Sequence, residues 1–292
     1  MQSRVLGSVI VVIVALIPTI LGGPIFALLM ILLGVIGFHE YLHLMSHIDG
    51  EPSSFLSIIG YSVIVVMGIA GLTTENATAL FAITVFAVFV PLVLQLLEMS
   101  WRSNASGWSR GSAGSLYLGL PIYAAVALRT LPGSINTPWL SSLASLTSFG
   151  WPPAPRGLAW ALAVIVVIWT GDTMSYLMGR TFGKHKLAPN ISPGKSVEGA
   201  LGGLLGSMVV GSAAMVLFGI ATWPIGLAVG AAIGGIGQVG DLCESALKRQ
   251  ANAKDSGTLV PGHGGILDRI DAMLFAFPAA FLFAFSLGRL GY

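Results

Sequence analysis

Two stretches of the 292-residue chain gather charged side chains, hydroxyls and glycines in an otherwise apolar sequence. The first runs from Gly171-Asp172 through Tyr176, Arg180, Lys184, His185 and Lys186 to Ser192-Pro193-Gly194-Lys195-Ser196 and Glu198-Gly199. The second begins Asp241-Leu242-Cys243-Glu244-Ser245-Ala246-Leu247-Lys248-Arg249. It continues through Lys254-Asp255 to Pro261-Gly262-His263-Gly264-Gly265-Ile266-Leu267-Asp268-Arg269-Ile270-Asp271. Carboxylates from separate helices can share a hard divalent cation, because Mg²⁺ prefers oxygen ligands and keeps waters and phosphate oxygens around it. Bases interleaved with those acids suit an anionic ligand. The combination calls for an anionic ligand, a metal, or both.

Spacing refines this reading. Asp172, Tyr176 and Arg180 recur every four residues and share a face if a helix continues through them. Asp241, Glu244 or Ser245, and Lys248 fall on one helical stripe, where a simple interfacial ion pair is the plainer explanation. Asp268 and Asp271 face the same way if a helix starts there. Ser192–Ser196 reads as a turn presenting a lysine ahead of a helix with Glu198 in its first turn. Such a helix end can hold a phosphate through its amides and dipole; a Ser-Pro turn with a helix cap accounts for the same residues. The glycines beside His263 let backbone approach a ligand closely.

The elements that must position these groups follow from composition. Charged residues make up 9% of the chain, against about 25% in an ordinary soluble domain. With 55% hydrophobic residues, 38 glycines and a mean hydropathy of +0.86, soluble globular, disordered, collagenous and coiled-coil classes are excluded. The expected fold is an all-α polytopic integral membrane protein with about nine transmembrane helices (eight to ten) and no soluble domain, each span needing about 20 mainly apolar residues. Apolar runs lie at Val5–Leu21, Pro24–Phe38, Phe55–Leu72, Ala77–Leu97, Ser112–Leu128, Gly157–Thr170, Ala200–Ile220, Trp223–Val239 and Ile270–Leu287. The second and sixth runs are short and can extend into their polar flanks. Residues 1–292 form one helical membrane domain. Residues 1–156 carry spans one to five, and 157–292 carry the catalytic spans six to nine with their motif loops.

The first run is longer than a signal-peptide core and reads as a retained span. The glycine-rich eighth, with Gly230, Gly234, Gly235 and Gly237, suits close helix packing, within the chain or in a homodimer. Cys243 is the sole cysteine, so it forms no internal disulfide and holds no metal by itself. A net charge of +2 argues against a nucleic-acid surface.

Basic residues orient the expected bundle. With nine spans, Arg4, Arg102, Arg110, Arg180, Lys184, Lys186, Lys195, Lys248, Arg249, Lys254 and Arg269 share one side, and only Arg129, Arg156 and Arg289 the other. That asymmetry predicts that both motif blocks face the cytoplasm from the inner membrane.

The second block, Ser245-x-x-Lys248-Arg249, Lys254-Asp255 and Pro261-x-His263-Gly264-Gly265-x-x-Asp268-Arg269-x-Asp271, resembles the signature of phosphatidate cytidylyltransferases, also called CDP-diacylglycerol synthases. The first block resembles that family's second characteristic stretch. Three positions depart from the family pattern: Val260 for a longer aliphatic residue, Gly194 for a second lysine, and Ser196 for threonine. Of these, Gly194 removes a positive charge from a phosphate site.

The resemblance implies that CTP reacts with phosphatidic acid, a membrane lipid, to give CDP-diacylglycerol and pyrophosphate. It implies Mg²⁺ as cofactor, with a second cation left open. Together with the local chemistry, it makes Asp241, Lys248 and Asp268 the catalytic candidates. Asp241 and Asp268 are the leading metal ligands, with Asp271 and Glu244 as secondary ones. Lys195, Arg249, Lys254 and Arg269 join Lys248 in contacting phosphates, and Asp172, Arg180 and Ser245 complete the substrate site. The turn of His263, Gly264 and Gly265 is expected to wrap the nucleotide.

His39-Glu40-Tyr41-Leu42-His43 matches H-E-x-x-H, which on a helix can bind zinc with Glu40 as general base, and His47 extends the spacing. An intramembrane zinc metalloprotease is therefore an alternative, although an interfacial helix end with water-facing histidines explains the pattern more simply. A transporter is disfavoured, because the acids gather at one membrane face. A sibling CTP transferase acting on another lipid would show the same site residues.

Overall fold

The computed structural model describes residues 2–50, 54–73, 77–97, 105–148, 151–259 and 264–289. Ten helices occur among them: α1 (Gln2–Leu21), α2 (Gly23–Asp49), α3 (Ser54–Ala70), α4 (Ala77–Leu97), α5 (Ala105–Arg129), α6 (Pro138–Leu146), α7 (Pro155–Phe182), α8 (Val197–Leu217), α9 (Trp223–Gln250) and α10 (Leu267–Arg289). A small hairpin, β1 (Lys186–Ala188) and β2 (Ser192–Ser196), separates α7 from α8. Helix starts follow local rules. Proline occupies the first turn of α2, α6, α7 and α9, where the missing N–H goes unused. Gly22 and Gly23 take positive φ (67° and 50°) and turn the chain tightly from α1 into α2.

Among the described residues, six helices are long and apolar enough to cross a membrane: Gly23–Ile48, Gly107–Arg129, Pro155–Phe182, Val197–Leu217, Trp223–Gln250 and Leu267–Arg289. They correspond to the expected second, fifth, sixth, seventh, eighth and ninth spans. Shorter apolar helices, Val12–Leu21, Ser54–Ala70 and Thr78–Val93, occupy the other three positions. The chain is thus an all-α membrane protein. Both short apolar runs do extend: α2 continues to Asp49 and α7 to Phe182.

α7, α8, α9 and α10 pack in sequence order, each along the next, and they carry both polar blocks. α5 lies against α2, α3 and α10 and is mostly buried. The core runs through Trp160, Val164, Val167 and Ile168 of α7 to Ile122 of α5, Met215 of α8, Ile233 of α9 and Phe277 of α10. Glycine sets the spacing of α8 and α9. A Cβ at Gly230 would strike Met208 Cα and Gly211 Cα at 3.1 Å, so the two backbones meet directly. This is the close approach that lipid-embedded helices use in place of a hydrophobic drive.

Far from the motif blocks, buried Arg129 ends α5. It donates from Nε to Thr19 O (2.5 Å), from Nη2 to Ile20 O (2.9 Å) and from Nη1 to Ala154 O (3.4 Å), closing the end of α1 against the start of α7.

One local expectation is corrected. Ser192–Ser196 is strand β2 and not a turn; it pairs antiparallel with β1 in the register Lys186↔Ser196 and Ala188↔Ser192. The turn lies earlier, where Ile191 N donates to Ala188 O (3.1 Å). Pro193 and Gly194 obscure the strand because both are poor strand formers. Here the short hairpin is held from outside, by Arg249 Nε donating to Ile191 O (3.0 Å) from the end of α9.

Candidate active site

The first block becomes one wall of a cavity. α7 runs unbroken through Asp172, Tyr176 and Arg180, which line one stripe, as the four-residue spacing requires. Arg180 Nη1 donates to Tyr176 OH (3.1 Å) along that stripe. Lys195 from β2 and Asp241 and Gln238 from α9 close the other sides of a cavity of about 370 Å³. Two glycines bring the walls together. A Cβ on Gly199 would meet Ser175 O at 2.8 Å and Gly179 Cα at 3.1 Å, so α8 starts directly against α7. Gln238 Nε2 donates to Ala200 O (3.1 Å), tying α9 to α8.

The hairpin delivers Lys195. Ser196 caps α8 by accepting from Gly199 N (3.1 Å). Glu198 reaches back to Lys184 N (3.1 Å) and pairs with His185 Nδ1 (2.6 Å). These contacts aim the lysine inward. Its Nζ lies 2.6 Å from Asp241 Oδ2, and Ser245 Oγ donates to Asp241 Oδ1 (3.5 Å). Asp172, Asp241 and Asp271 lie near enough to interact electrostatically, and Arg269 opposes the charge at Asp172.

Two turns beyond Asp241, about 10 Å along the axis of α9, the stripe carries Lys248. It pairs with fully buried Glu244 one turn back and with Asp268 Oδ1 of α10 (2.5 Å). Asp268 Oδ2 accepts from Ser256 N (2.9 Å) and Gly265 N (2.8 Å). Gly264 takes φ 82°, and a Cβ there would run into Asp268. Both oxygens of Asp268 therefore have protein partners. Gly264 and Gly265 pack on Asp268; the expected His263 lies outside the described residues, as do Val260, Pro261 and Gly262.

The remaining expected residues divide. Lys254 and Arg269 are exposed. Arg249 is exposed too, and its guanidinium holds Ile191 O and Ala253 O (3.0 Å each), so it braces the hairpin in this arrangement. Among the described residues no three His, Cys, Asp or Glu side chains are gathered closely enough to hold a metal by themselves. Asp172 and Asp241 both line the cavity, and a hard cation that keeps waters and phosphate oxygens needs only one or two protein carboxylates.

The sequence reading did not foresee the part taken by Glu40 and Ser256. Glu40 of α2 is buried, and it accepts from Leu267 N (2.8 Å), Ile266 N (3.0 Å) and Ser256 Oγ (3.0 Å). One signal was available: an acid at the end of an apolar helix needs a partner. This geometry does not favour the zinc-protease alternative. Glu40 points inward to α10, while His39, His43 and His47 are exposed. His39 Nδ1 lies 3.1 Å from Tyr61 OH, and His47 Nδ1 lies 2.8 Å from His43 O.

Fold and site together define a helical membrane protein with acidic and basic side chains gathered around one cavity. The profile of the cytidylyltransferase family matches residues 2–287, so the chain belongs to that family. It is 31% identical over 289 residues to a protein of Brucella abortus named phosphatidate cytidylyltransferase, covering 97% of this chain and 93% of that one. It is 47% identical over 125 residues to the Staphylococcus saprophyticus protein of the same name, covering 42% of this chain and 48% of that relative. The corresponding match in Staphylococcus aureus is 46% identical over 125 residues. The staphylococcal matches thus span about half the length of those relatives.

Proposed function

We propose that the chain transfers the cytidylyl group of CTP to phosphatidic acid, giving CDP-diacylglycerol and pyrophosphate. A lipid phosphate oxygen attacks the α-phosphorus of CTP. The bond from that phosphorus to the bridging oxygen breaks, and pyrophosphate leaves. A phosphate monoester is already anionic near neutral pH, so the attack needs no strong general base. The difficulty is electrostatic: two anions must meet, and charge builds on the leaving group.

The observation that carries the reading is the Lys195–Asp241 pair, 2.6 Å apart and only partly exposed, inside a cavity of about 370 Å³ that also presents Asp172 and Arg180. That volume falls in the range of small-molecule sites. Lys195 and Arg180 supply positive charge to triphosphate oxygens, and Lys248 and Arg269 supply it from the α9–α10 end. Asp241, with Asp172 and Asp271, would hold Mg²⁺, which when bound neutralises phosphate charge and stabilises the leaving pyrophosphate. Asp268 serves by holding Lys248. The relatives' name supports phosphatidic acid as the lipid.

The same reading counts nine spans, adding the three shorter apolar helices to the six long ones. It places the site on the cytoplasmic side of the inner membrane, as the basic asymmetry favours. A liposome assay with labelled CTP, phosphatidic acid and Mg²⁺ tests the proposal. Lipid-linked CMP is expected from the wild type, together with loss on chelation of Mg²⁺. Asp241→Asn and Asp268→Asn should each lose at least about 10²-fold, the scale of removing one charge stabiliser. Near-normal turnover in both variants would reject the assigned roles.

A further inference from the structure

Glu40 sits on α2, far along the chain from either polar block, yet its carboxylate is built into the second one. It is 6% exposed and meets no lysine or arginine in the hydrogen bonds it makes with described residues. What it meets is the start of α10. The N–H groups of Ile266 and Leu267 both point into it, where the helix dipole favours negative charge. Ser256 Oγ lies 3.0 Å from Glu40 Oε2 and 3.0 Å from Asp268 Oδ2, and it accepts from Asp268 N at 3.3 Å. The backbone N–H groups of Ser256 and Gly265 then fix Asp268, and Asp268 fixes Lys248 Nζ. No space is left for slippage. A Cβ on Gly265 would collide with both Ser256 Oγ and the Glu40 carboxylate, and one on Gly257 would lie 2.6 Å from Glu40 Oε1.

We infer that Glu40 is a positioning residue for the transfer reaction: it ties Ser256 to the start of α10 at Ile266 and Leu267, so that Asp268 presents Lys248 to the substrate phosphates. This rests on the cytidylyltransferase reading of the site. Glu40 touches none of the reacting groups, and its effect passes through Asp268. A residue that merely stabilised the bundle would act independently of Asp268, whereas one that works through Asp268 loses its influence once Asp268 is gone. Residues acting as a unit are non-additive in this way.

The test is a kinetic cycle in detergent–lipid micelles, using Glu40→Gln, Asp268→Ala and the double variant, with thermal unfolding followed in parallel. Glutamine keeps the shape of Glu40 but turns an N–H₂ group either toward the Ile266 N–H or toward the Leu267 N–H and Ser256 Oγ, so at least one N–H donor loses its acceptor. Glu40→Gln is expected to lower kcat about 10–100-fold, the range typical for residues that orient a reacting group's partner. The double variant should match Asp268→Ala within about threefold, which is under 1 kcal/mol. The inference is overturned if the two losses multiply, or if Glu40→Gln keeps wild-type kcat. If Glu40→Gln does not accumulate folded, Ser256→Ala takes its place in the same cycle, with the same two outcomes deciding. A wild-type protein that makes no CDP-lipid would instead bring down the enzymatic reading itself, before any variant is compared.

Discussion

Lys195 Nζ lies 2.6 Å from Asp241 Oδ2, so the hairpin of the first polar block and the α9 stripe of the second are joined by one ion pair. The two side chains are 29% and 33% exposed. At that exposure, solvent screening limits the pair to about 0–1 kcal/mol of stability. Its position in the cavity therefore matters more for ligand binding than for folding. Lys195→Ala is expected to unfold within a few degrees of the wild type, while its turnover falls about 10²-fold through loss of a phosphate-facing cation. Thermal unfolding and CTP-dependent turnover on one preparation check both halves. A variant that melts early but turns over normally would contradict the assignment.

Lys248 should behave differently because it is enclosed. It is 12% exposed and lies between Glu244, which is fully buried, and Asp268, which is 7% exposed. Removing a cation from such a group leaves buried carboxylates uncompensated, at a cost of about 3–5 kcal/mol. Lys248→Ala is thus expected to lose both stability and activity, with an unfolding midpoint well below that of Lys195→Ala. Equal midpoints for the two variants would show that Lys248 is not the electrostatic keystone of the α9–α10 contact.

Much of this was legible because helical spacing is local. Asp172, Tyr176 and Arg180 share a stripe since α7 extends past its apolar run, and Asp241 and Lys248 line one face of α9 for the same reason. The hydropathy runs likewise located every helix of the described residues but the short α6, and Gly230, Gly234 and Gly235 of the eighth run do pack against α8, while Gly237 meets α7 and α10. What escaped was long-range. That Lys195 would turn to Asp241 depends on a hairpin whose proline and glycine argue locally against a strand. That Glu40 would cap α10 depends on how α2 folds against a segment more than two hundred residues on. Glu40 also sits within H-E-x-x-H, but burial separates it from its exposed histidine neighbours.

The histidines give a direct check on that separation. His39 and His43 are exposed, and neither contacts Glu40, Asp241 or Lys248 in the hydrogen bonds and ion pairs of the described residues. His43→Ala is expected to retain turnover within about twofold, in keeping with the small effects of exposed substitutions. The purified protein should hold well under one zinc per chain by metal analysis. Stoichiometric zinc that disappears in His43→Ala would revive the metalloprotease alternative.

Gly194 offers a prediction in the opposite direction, a gain. It lines the cavity beside Lys195, and a Cβ built on it has nothing within 4 Å. Its φ is not among the positive values that would strain another residue. The resemblance to the phosphatidate cytidylyltransferases makes a lysine common at this position, and the backbone has open space for its Cβ. A second cation about 4 Å from a phosphate contributes on the order of 1 kcal/mol in a water-like surrounding. Gly194→Lys is therefore expected to lower KM for CTP about fivefold at low ionic strength, with kcat little changed. The gain should shrink as salt shortens the Debye length from about 30 Å at 0.01 M toward 8 Å at 0.15 M and below. An unchanged KM at every salt concentration would mean that the triphosphate lies elsewhere, away from β2.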